Sequence, residues 1–284
     1  MRTAIRMVVL NSKKYVLDLI SAVIAAAYSL RRLYASYTGA AIRVRRSSDN
    51  AERDIGFIGE HLDVLALLVF VGNGSGFVTT WYDQSGNGRH ATQTTAANQP
   101  RIVSNGVIET QNGRPALFFD GSTFFDHPIS ISGPSTFVAV ASRSGADSEA
   151  QSIFFATPPN TRLDNGMWSK VPASANWGTY SDNFNSANVD LTGALAVIST
   201  TSNSPLTGSI DMRTNGLLLA SSNATRYPGD AEDRRRIGSE HPGLATRFHI
   251  GWISELPVFS SALSATDLQT LERNQGIYFN ISVS

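Results

Sequence analysis

Ser209-Ile210-Asp211-Met212-Arg213-Thr214-Asn215-Gly216-Leu217-Leu218-Leu219-Ala220-Ser221 reads as two short strands folded back about an Asn-Gly pair. A type I′ hairpin turn needs φ > 0 at both central residues, and Asn followed by Gly meets that need at the lowest steric cost. The same punctuation recurs along the chain at Asn105-Gly106, Asn112-Gly113, Asp120-Gly121, Gly133-Pro134 and Asn165-Gly166. Between the turns lie runs rich in Val, Ile, Phe, Thr and Tyr, which place strands over 77–82, 116–119, 136–142, 152–156, 194–200, 209–213, 217–221 and 250–259. Many short strands with frequent turn signals predict a β-sandwich, and no internal repeat points instead to a solenoid or propeller.

Upstream of residue 77 the texture differs. Leu30, Leu33, Tyr34 and Tyr37 fall at i, i+3, i+4 and i+7, which predicts a helix over 18–37 stopped by Gly39. Ile42 and Val44 alternate with Arg43 and Arg45 as in a half-buried strand, and Leu62, Leu65, Ala66 and Val69 predict a second helix ending near Gly72. At the other end Ser264 and Asp267 form a capping pair for a short helix with Leu268 and Leu271 facing inward and Gly276 as its stop. The expected organisation is a helical, basic extension over 1–76 that packs on or docks the sandwich, followed by the sandwich itself over 77–284.

Composition narrows the function classes. The 284 residues are 42% hydrophobic and 16% charged, a globular balance with room for a sizeable core. Twenty-three basic residues offset twenty-three acidic ones, so no net field favours nucleic acid or an anionic membrane. The absence of Cys removes disulfides, thiolate metal sites and a cysteine nucleophile. Arg2, Arg6 and Ala25-Ala26-Ala27 loosely mimic a secretion signal, but Asn11-Ser12-Lys13-Lys14 and Asp18 interrupt the apolar run, so no leader is expected. No uncharged apolar stretch of about 18 residues is present to cross a bilayer.

Two local resemblances stand on these residues. Ser29-Leu30-Arg31-Arg32-Leu33, Ser36-Tyr37-Thr38-Gly39, Val44-Arg45-Arg46, Ser48-Asp49 and Trp81-Tyr82-Asp83-Gln84-Ser85-Gly86-Asn87-Gly88 resemble the opening of fungal α-L-arabinofuranosidase B catalytic domains. That module also looks like one found in phage structural and tail-fibre proteins. Gly113-Arg114-Pro115-Ala116-Leu117-Phe118-Phe119-Asp120-Gly121, Ser135-Thr136-Phe137-Val138-Ala139-Val140, Arg236-Ile237-Gly238 and Gly251-Trp252-Ile253-Ser254-Glu255-Leu256 resemble a laminin-G-like, concanavalin A-like jelly roll. The resemblance implies a mainly β fold of that type, with an N-terminal helical extension and a short C-terminal helix. It leaves function open.

A glycosidase needs two carboxylates across the scissile bond. Between Gln151 and Ala231 there is no Glu, and Asp164, Asp182, Asp190, Asp211 and Asp230 mostly neighbour turn formers. The cysteines that accompany the arabinofuranosidase active-site region are missing, so catalysis is not expected and no catalytic residue is assigned. Trp168, Trp177 and Tyr180, with Asn176, Asp182 and Asn183, offer aromatic faces and hydroxyl-binding groups for a glycan. Burial of the same rings under a loop is the competing reading. Asp83 to Gly88 carries the oxygen ligands calcium takes, but the distal bidentate Glu is missing, and a structural turn is expected in place of a cofactor site. His61, His90, His127, His241 and His249 show no ligand spacing, so no metal is expected.

Positions 1–50 hold nine basic residues against two acidic ones. Arg31, Arg32, Arg43, Arg45 and Arg46 are therefore candidates for docking an acidic neighbour. Arg234-Arg235-Arg236 follows Glu232-Asp233 and reads as a self-compensating solvated face. Together these readings predict a non-enzymatic bacteriophage virion surface protein, a tail fibre, spike or capsid decoration subunit, assembled in the host cytoplasm. Its expected partners are other virion proteins, further copies of itself and a host-surface glycan. No nucleic acid and no membrane insertion are expected. The alternative is a glycoside hydrolase related to α-L-arabinofuranosidases.

Overall fold

The computed structural model describes residues 15–131, 133–144, 151–157, 166–170, 176–178, 187–188, 193–202, 207–225, 234–240 and 248–284. The chain is mainly β, and its antiparallel ladders form two layers. In one layer Ile24–Ser29 pairs with Ile250–Phe259, which pairs with Ser135–Arg143, then Ala196–Ser202, Thr207–Thr214 and Leu217–Thr225. In the other, Glu52–Ile55 pairs with Ile42–Arg46 and this with Gly76–Trp81. That layer continues through Ala91–Thr92, Phe125–Asp126, Arg234–Ile237 and Gln151–Thr157. It runs on through Gly166–Lys170, Asn176–Gly178 and Ala187–Asn188. Leu117–Asp120 links the layers, pairing with Ile250–Phe259 on one side and Arg101–Ser104 on the other.

The strand Ser135–Arg143 explains how the layers are held. Successive side chains on a strand point to opposite faces. Phe137, Ala139 and Ala141 enter the core with Trp81, Phe119, Phe154 and Ile253. Val138 and Val140 enter a second core with Val197, Leu268, Leu271 and Phe279 of the helix Ala265–Phe279. Both faces are dry, so this strand reads as a near-continuous apolar run and anchors helix and sheets at once.

The hairpin about Asn215-Gly216 forms as its sequence dictates, with φ of 49° and 83° at the two residues, and Asn105-Gly106 and Asn112-Gly113 adopt the same left-handed pair. The helix over 18–37 is corrected. Val16–Leu19 is a 3₁₀ turn and Ile24–Ser29 a strand whose Ala25, Ala26 and Ala27 are buried. Leu30 and Leu33 mimic helical spacing because they enter different cores.

The helix Val64–Val71 forms, capped by Asp63, whose side chain accepts from the Ala66 N–H at 2.9 Å. Its buried residues are Leu67, Phe70 and Val71, whereas Leu65 and Val69 are exposed, so the face assigned from sequence is out of phase. At the C-terminus Ser264 caps as expected, but the helix runs past Gly276 to Phe279 and stops at left-handed Asn280. The helical extension expected before residue 77 is thus largely strand, and those strands share the sheets and the main core.

Candidate functional site

The ends of Ser135–Arg143, Gln151–Thr157 and Ile250–Phe259, with the residues after Arg234–Ile237, meet around buried polar side chains. Ser142, Arg143, Gln151, Ser152, Ser239, Glu240 and His249 are each at most 2% exposed. Backbone bonds draw the segments together. The Gly238 N–H donates to Ile153 O at 2.8 Å, the His249 N–H to Gly238 O at 2.9 Å, and the Ile250 N–H to the Gln151 side-chain oxygen at 3.0 Å. Arg143 lies opposite Gly251 in the ladder. Two glycines make the approach feasible. A Cβ on Gly238 (φ 86°) would collide with the Phe119 ring, and one on Gly251 (φ 148°) with the Ser142 carbonyl.

Among the described residues the Ser142, Ser152 and Ser239 hydroxyls and the Gln151 Nε2 have no hydrogen-bond partner. Buried polar groups are rarely left so, because each costs roughly 1–3 kcal/mol, and a concentration of them points to a place kept for function. His249 sits among them against Phe119, ring centroids 5.9 Å apart. Burial pushes its pKa down to about 4, and the Arg143 charge adds to this against nearby backbone groups of Trp252 and Ser142. The imidazole is therefore neutral at ordinary pH.

Four described carboxylates are buried to a similar degree: Asp83, Glu240, Glu255 and Glu272. Glu255 binds Arg31, Ser29 and Gln275; Glu272 binds Ser199 and Arg213. Asp83 accepts four hydrogen bonds, from the backbone N–H groups of Ala27, Ser85 and Arg89 and from the Ser85 hydroxyl, which uses the lone pairs a cation would need. The Asp83 carboxylate thus ties the loop to the strand at Ala27. Glu240, the fourth, directly follows Ser239, whose buried hydroxyl has no hydrogen-bond partner. Sequence reasoning missed it because the search for acids ended at Ala231. The available signal was its place just after Arg236-Ile237-Gly238.

The glycan candidates fall close by in the backbone. Trp168 lies opposite Ser152, Trp177 opposite Ser169 and Asn176 opposite Lys170, so the described parts of this stretch, where no strand was expected, form a ladder. Tyr180, Asp182 and Asn183 lie outside the described residues.

The arginines proposed for docking have contacts within the chain. Arg31 is buried: burial alone would lower its pKa, and Glu255 holds it above the ordinary value. Arg32 lies over Tyr15 and Phe57, Arg43 grips Asp54 at 2.7 and 2.9 Å, Arg45 bonds Gln99 and Asn50, and Arg46 bonds Asp49. The basic cluster at 234–236 is a strand in which Arg236 pairs with Asp126 at 2.9 Å and stacks on Phe124; its compensating acid comes from across the sheet. No group of three or more metal-binding side chains occurs among the described residues.

Comparison with known proteins fits this geometry. The family model of the α-L-arabinofuranosidase B catalytic domain matches residues 20–132, under half of the chain. A probable α-L-arabinofuranosidase B of Aspergillus flavus is 38% identical over 85 residues, 29% of this chain and 17% of that protein. The Aspergillus oryzae α-L-arabinofuranosidase B matches to the same extent. Among solved structures, a GH54 α-L-arabinofuranosidase soaked with a cyclic sulfate inhibitor superposes with a TM-score of 0.66 at 16% identity, over 91% of this chain and 63% of that one. An arabinofuranosidase complexed with arabinofuranosyl-α-1,2-xylobiose gives the same values. The chain spans less than two thirds of the length of these relatives.

These matches overturn the reading of a non-catalytic phage virion protein on a particle surface, since they run to fungal arabinofuranosidases and none supports a virion component. They favour the hydrolase alternative. The chain is similar in sequence, over its first half, to the arabinofuranosidase B catalytic domain, and it shares the β-sandwich fold of the GH54 α-L-arabinofuranosidases.

Proposed function

We propose that this chain is a glycoside hydrolase that removes α-L-arabinofuranosyl groups from a polysaccharide, with Glu240 as one of its two working carboxylates. The observation that carries this reading is the burial of Glu240 directly after Ser239, on a segment whose Gly238 bonds Ile153 beside the unpartnered Gln151 and Ser152 side chains, on the fold the arabinofuranosidases use. We read that fold as a concanavalin A-like, laminin-G-like jelly roll.

Glycoside hydrolysis needs one carboxyl group to protonate the leaving oxygen and a second to attack or to activate water. Glu240 supplies one, and its partner is to be sought among Asp164, Asp182, Asp190 and Asp230, which lie outside the described residues. The Ser142, Gln151, Ser152 and Ser239 side chains serve as hydroxyl ligands for the furanose, and the neutral His249 adds no competing charge. Trp168, opposite Ser152, and Asn176 and Trp177 on the adjoining strand are proposed to bind the sugar together with Tyr180, Asp182 and Asn183.

The test uses 4-nitrophenyl α-L-arabinofuranoside and an arabinose-branched xylan. The wild-type chain should release arabinose from both, and Glu240→Gln should lower turnover by about 10²–10⁴-fold while leaving the melting temperature close to wild type. A wild-type chain that releases no arabinose from either substrate overturns the reading.

A further inference from the structure

A polar cavity, open to solvent, lies where Ala91–Thr92, Phe125–Asp126 and Arg234–Ile237 meet. It encloses about 390 Å³ and is lined by His90, Thr92, Asp126, His127, Pro128, Arg235 and Arg236. That is the size of a small-ligand site. From this cavity we propose that it is a subsite for an acidic sugar, a hexuronate carried by the polysaccharide whose arabinofuranosyl groups are removed at Glu240; the inference rests on that reading of the activity.

The walls are fixed in place. His127 uses both ring nitrogens, Nε2 donating to Phe155 O at 2.8 Å and Nδ1 accepting from the Ile129 N–H at 3.2 Å, and it stacks on Phe154 at 4.9 Å. It is therefore a rigid wall. His90 accepts from the Asp83 N–H at its Nδ1, 3.1 Å away, and packs edge-on against Tyr82. That bond puts the ring proton on Nε2 and leaves it available as a donor. Arg236 is clamped between Asp126 and the Phe124 ring, 3.9 Å from its centroid, with its side chain 12% exposed. The clamp uses the Nε edge and the flat face of the guanidinium. Its outer N–H groups remain, in the fork geometry that takes a carboxylate.

Charge then selects the ligand. Arg235 and Arg236 outweigh Asp126, so the lining is net positive within a chain whose overall charge is zero. Asp126 is largely exposed and keeps an oxygen free to accept from a sugar hydroxyl. The Arg236 fork beside the Asp126 acceptor and the Thr92 hydroxyl suits a sugar that bears both hydroxyls and an anion. The location suits a subsite as well. From Arg236 to Glu240 the chain advances at most about 13 Å at ~3.3 Å per residue, so one oligosaccharide can reach both places.

The test is isothermal titration of the full chain, carrying Glu240→Gln so that no substrate is consumed, with a hexuronate-substituted xylo-oligosaccharide, the same oligosaccharide without the uronate, and inorganic phosphate. The acidic oligosaccharide is expected to bind at least ten-fold more tightly than the neutral one. Arg236→Gln should abolish that preference. Asp126→Asn should strengthen it about three-fold, an opposite change that an unfolded variant does not produce. Equal affinity for the two oligosaccharides, or phosphate binding as tightly as the acidic oligosaccharide, overturns the proposal. A wild-type chain that releases no arabinose yet shows the preference removes the Glu240 reading and leaves the acidic-sugar site standing.

Discussion

Arg31 and Glu255, 224 positions apart, form a two-pronged ion pair, Nε to Oε2 at 2.7 Å and Nη2 to Oε1 at 3.0 Å, with neither side chain more than 1% exposed. The pair sits where the N-terminal strand, the strand Ile250–Phe259 and the C-terminal helix meet. Asn274 accepts from Arg31, Gln275 donates to Glu255, and Tyr278 lies under the guanidinium at 4.5 Å.

Removing one partner strands the other charge in the core. Arg31→Met and Glu255→Leu should each destabilise by about 3–5 kcal/mol, and the double variant by less than either, because it leaves no buried unpaired charge. Urea unfolding of the three variants measures this. Additive losses would show that the two groups do not act as a pair.

A different cost falls on the Asp83 loop. Its carboxylate oxygens face only donors, so Asp83→Asn turns one acceptor into an NH₂ pointing at N–H or O–H groups. The expected loss is about 2–4 kcal/mol from unsatisfied or opposed donors. Asp120→Asn, at an exposed turn where Ser122 is the donor among the described residues, should cost under about 1 kcal/mol in the same melts.

How far the sequence could be read follows from what each signal encodes. Turns were legible because Asn-Gly states a backbone conformation locally, and Asn215-Gly216 folds as stated. Ser135–Arg143 was legible as a strand, although its two buried faces were not, since a run apolar throughout has no period to read. The strand Ile24–Ser29 was misread because Ala-rich sequence favours helix locally and only pairing with Leu256–Phe259 overrides it. Arg31 looked like a surface charge for the same reason: its partner Glu255 lies at the far end of the chain. Glu240 follows the Arg236-Ile237-Gly238 stretch, but only the folded chain shows that its carboxylate is buried.

His249 gives the fold a pH dependence with a definite sign. Folding holds its pKa near 4, while the unfolded imidazole titrates at the ordinary 6.5, so between these values the unfolded chain binds more protons. The stability is fully present above about pH 6.5, falls as pH drops through that window and levels off below about 4, a loss of roughly 3 kcal/mol. Asp54, whose pKa the Arg43 hydrogen bond lowers, adds its own loss only at more acid pH. Thermal melts from pH 7.5 to 4 should therefore slope downward for the wild type and lie flat over 6.5–4.5 for His249→Phe. Parallel curves would mean the folded chain accepts the proton.

Gly276 tests local preference against packing. It lies inside the helix Ala265–Phe279, where Ala is ordinarily favoured over Gly by about 1 kcal/mol. The tail beyond the helix turns back over this position, with the Ile281 N–H donating to Gly276 O at 2.9 Å. A Cβ at 276 would sit 2.6 Å from the Val283 Cγ2 and 2.8 Å from the Ile281 carbonyl. The side chain of Val283 can rotate away, but the carbonyl is held by the returning chain, so the contact is relieved only by lifting the tail. That also breaks the bond from the Ser284 N–H to Asn215 O, which pins the tail to the hairpin turn. Gly276→Ala should consequently destabilise by about 1–3 kcal/mol, the cost of overpacking exceeding the gain in helix propensity. Ile277→Ala, at an exposed neighbour in the same helix, should change stability by less than about 0.5 kcal/mol. If Gly276→Ala raises the unfolding midpoint, the tail yields to the helix and does not brace it.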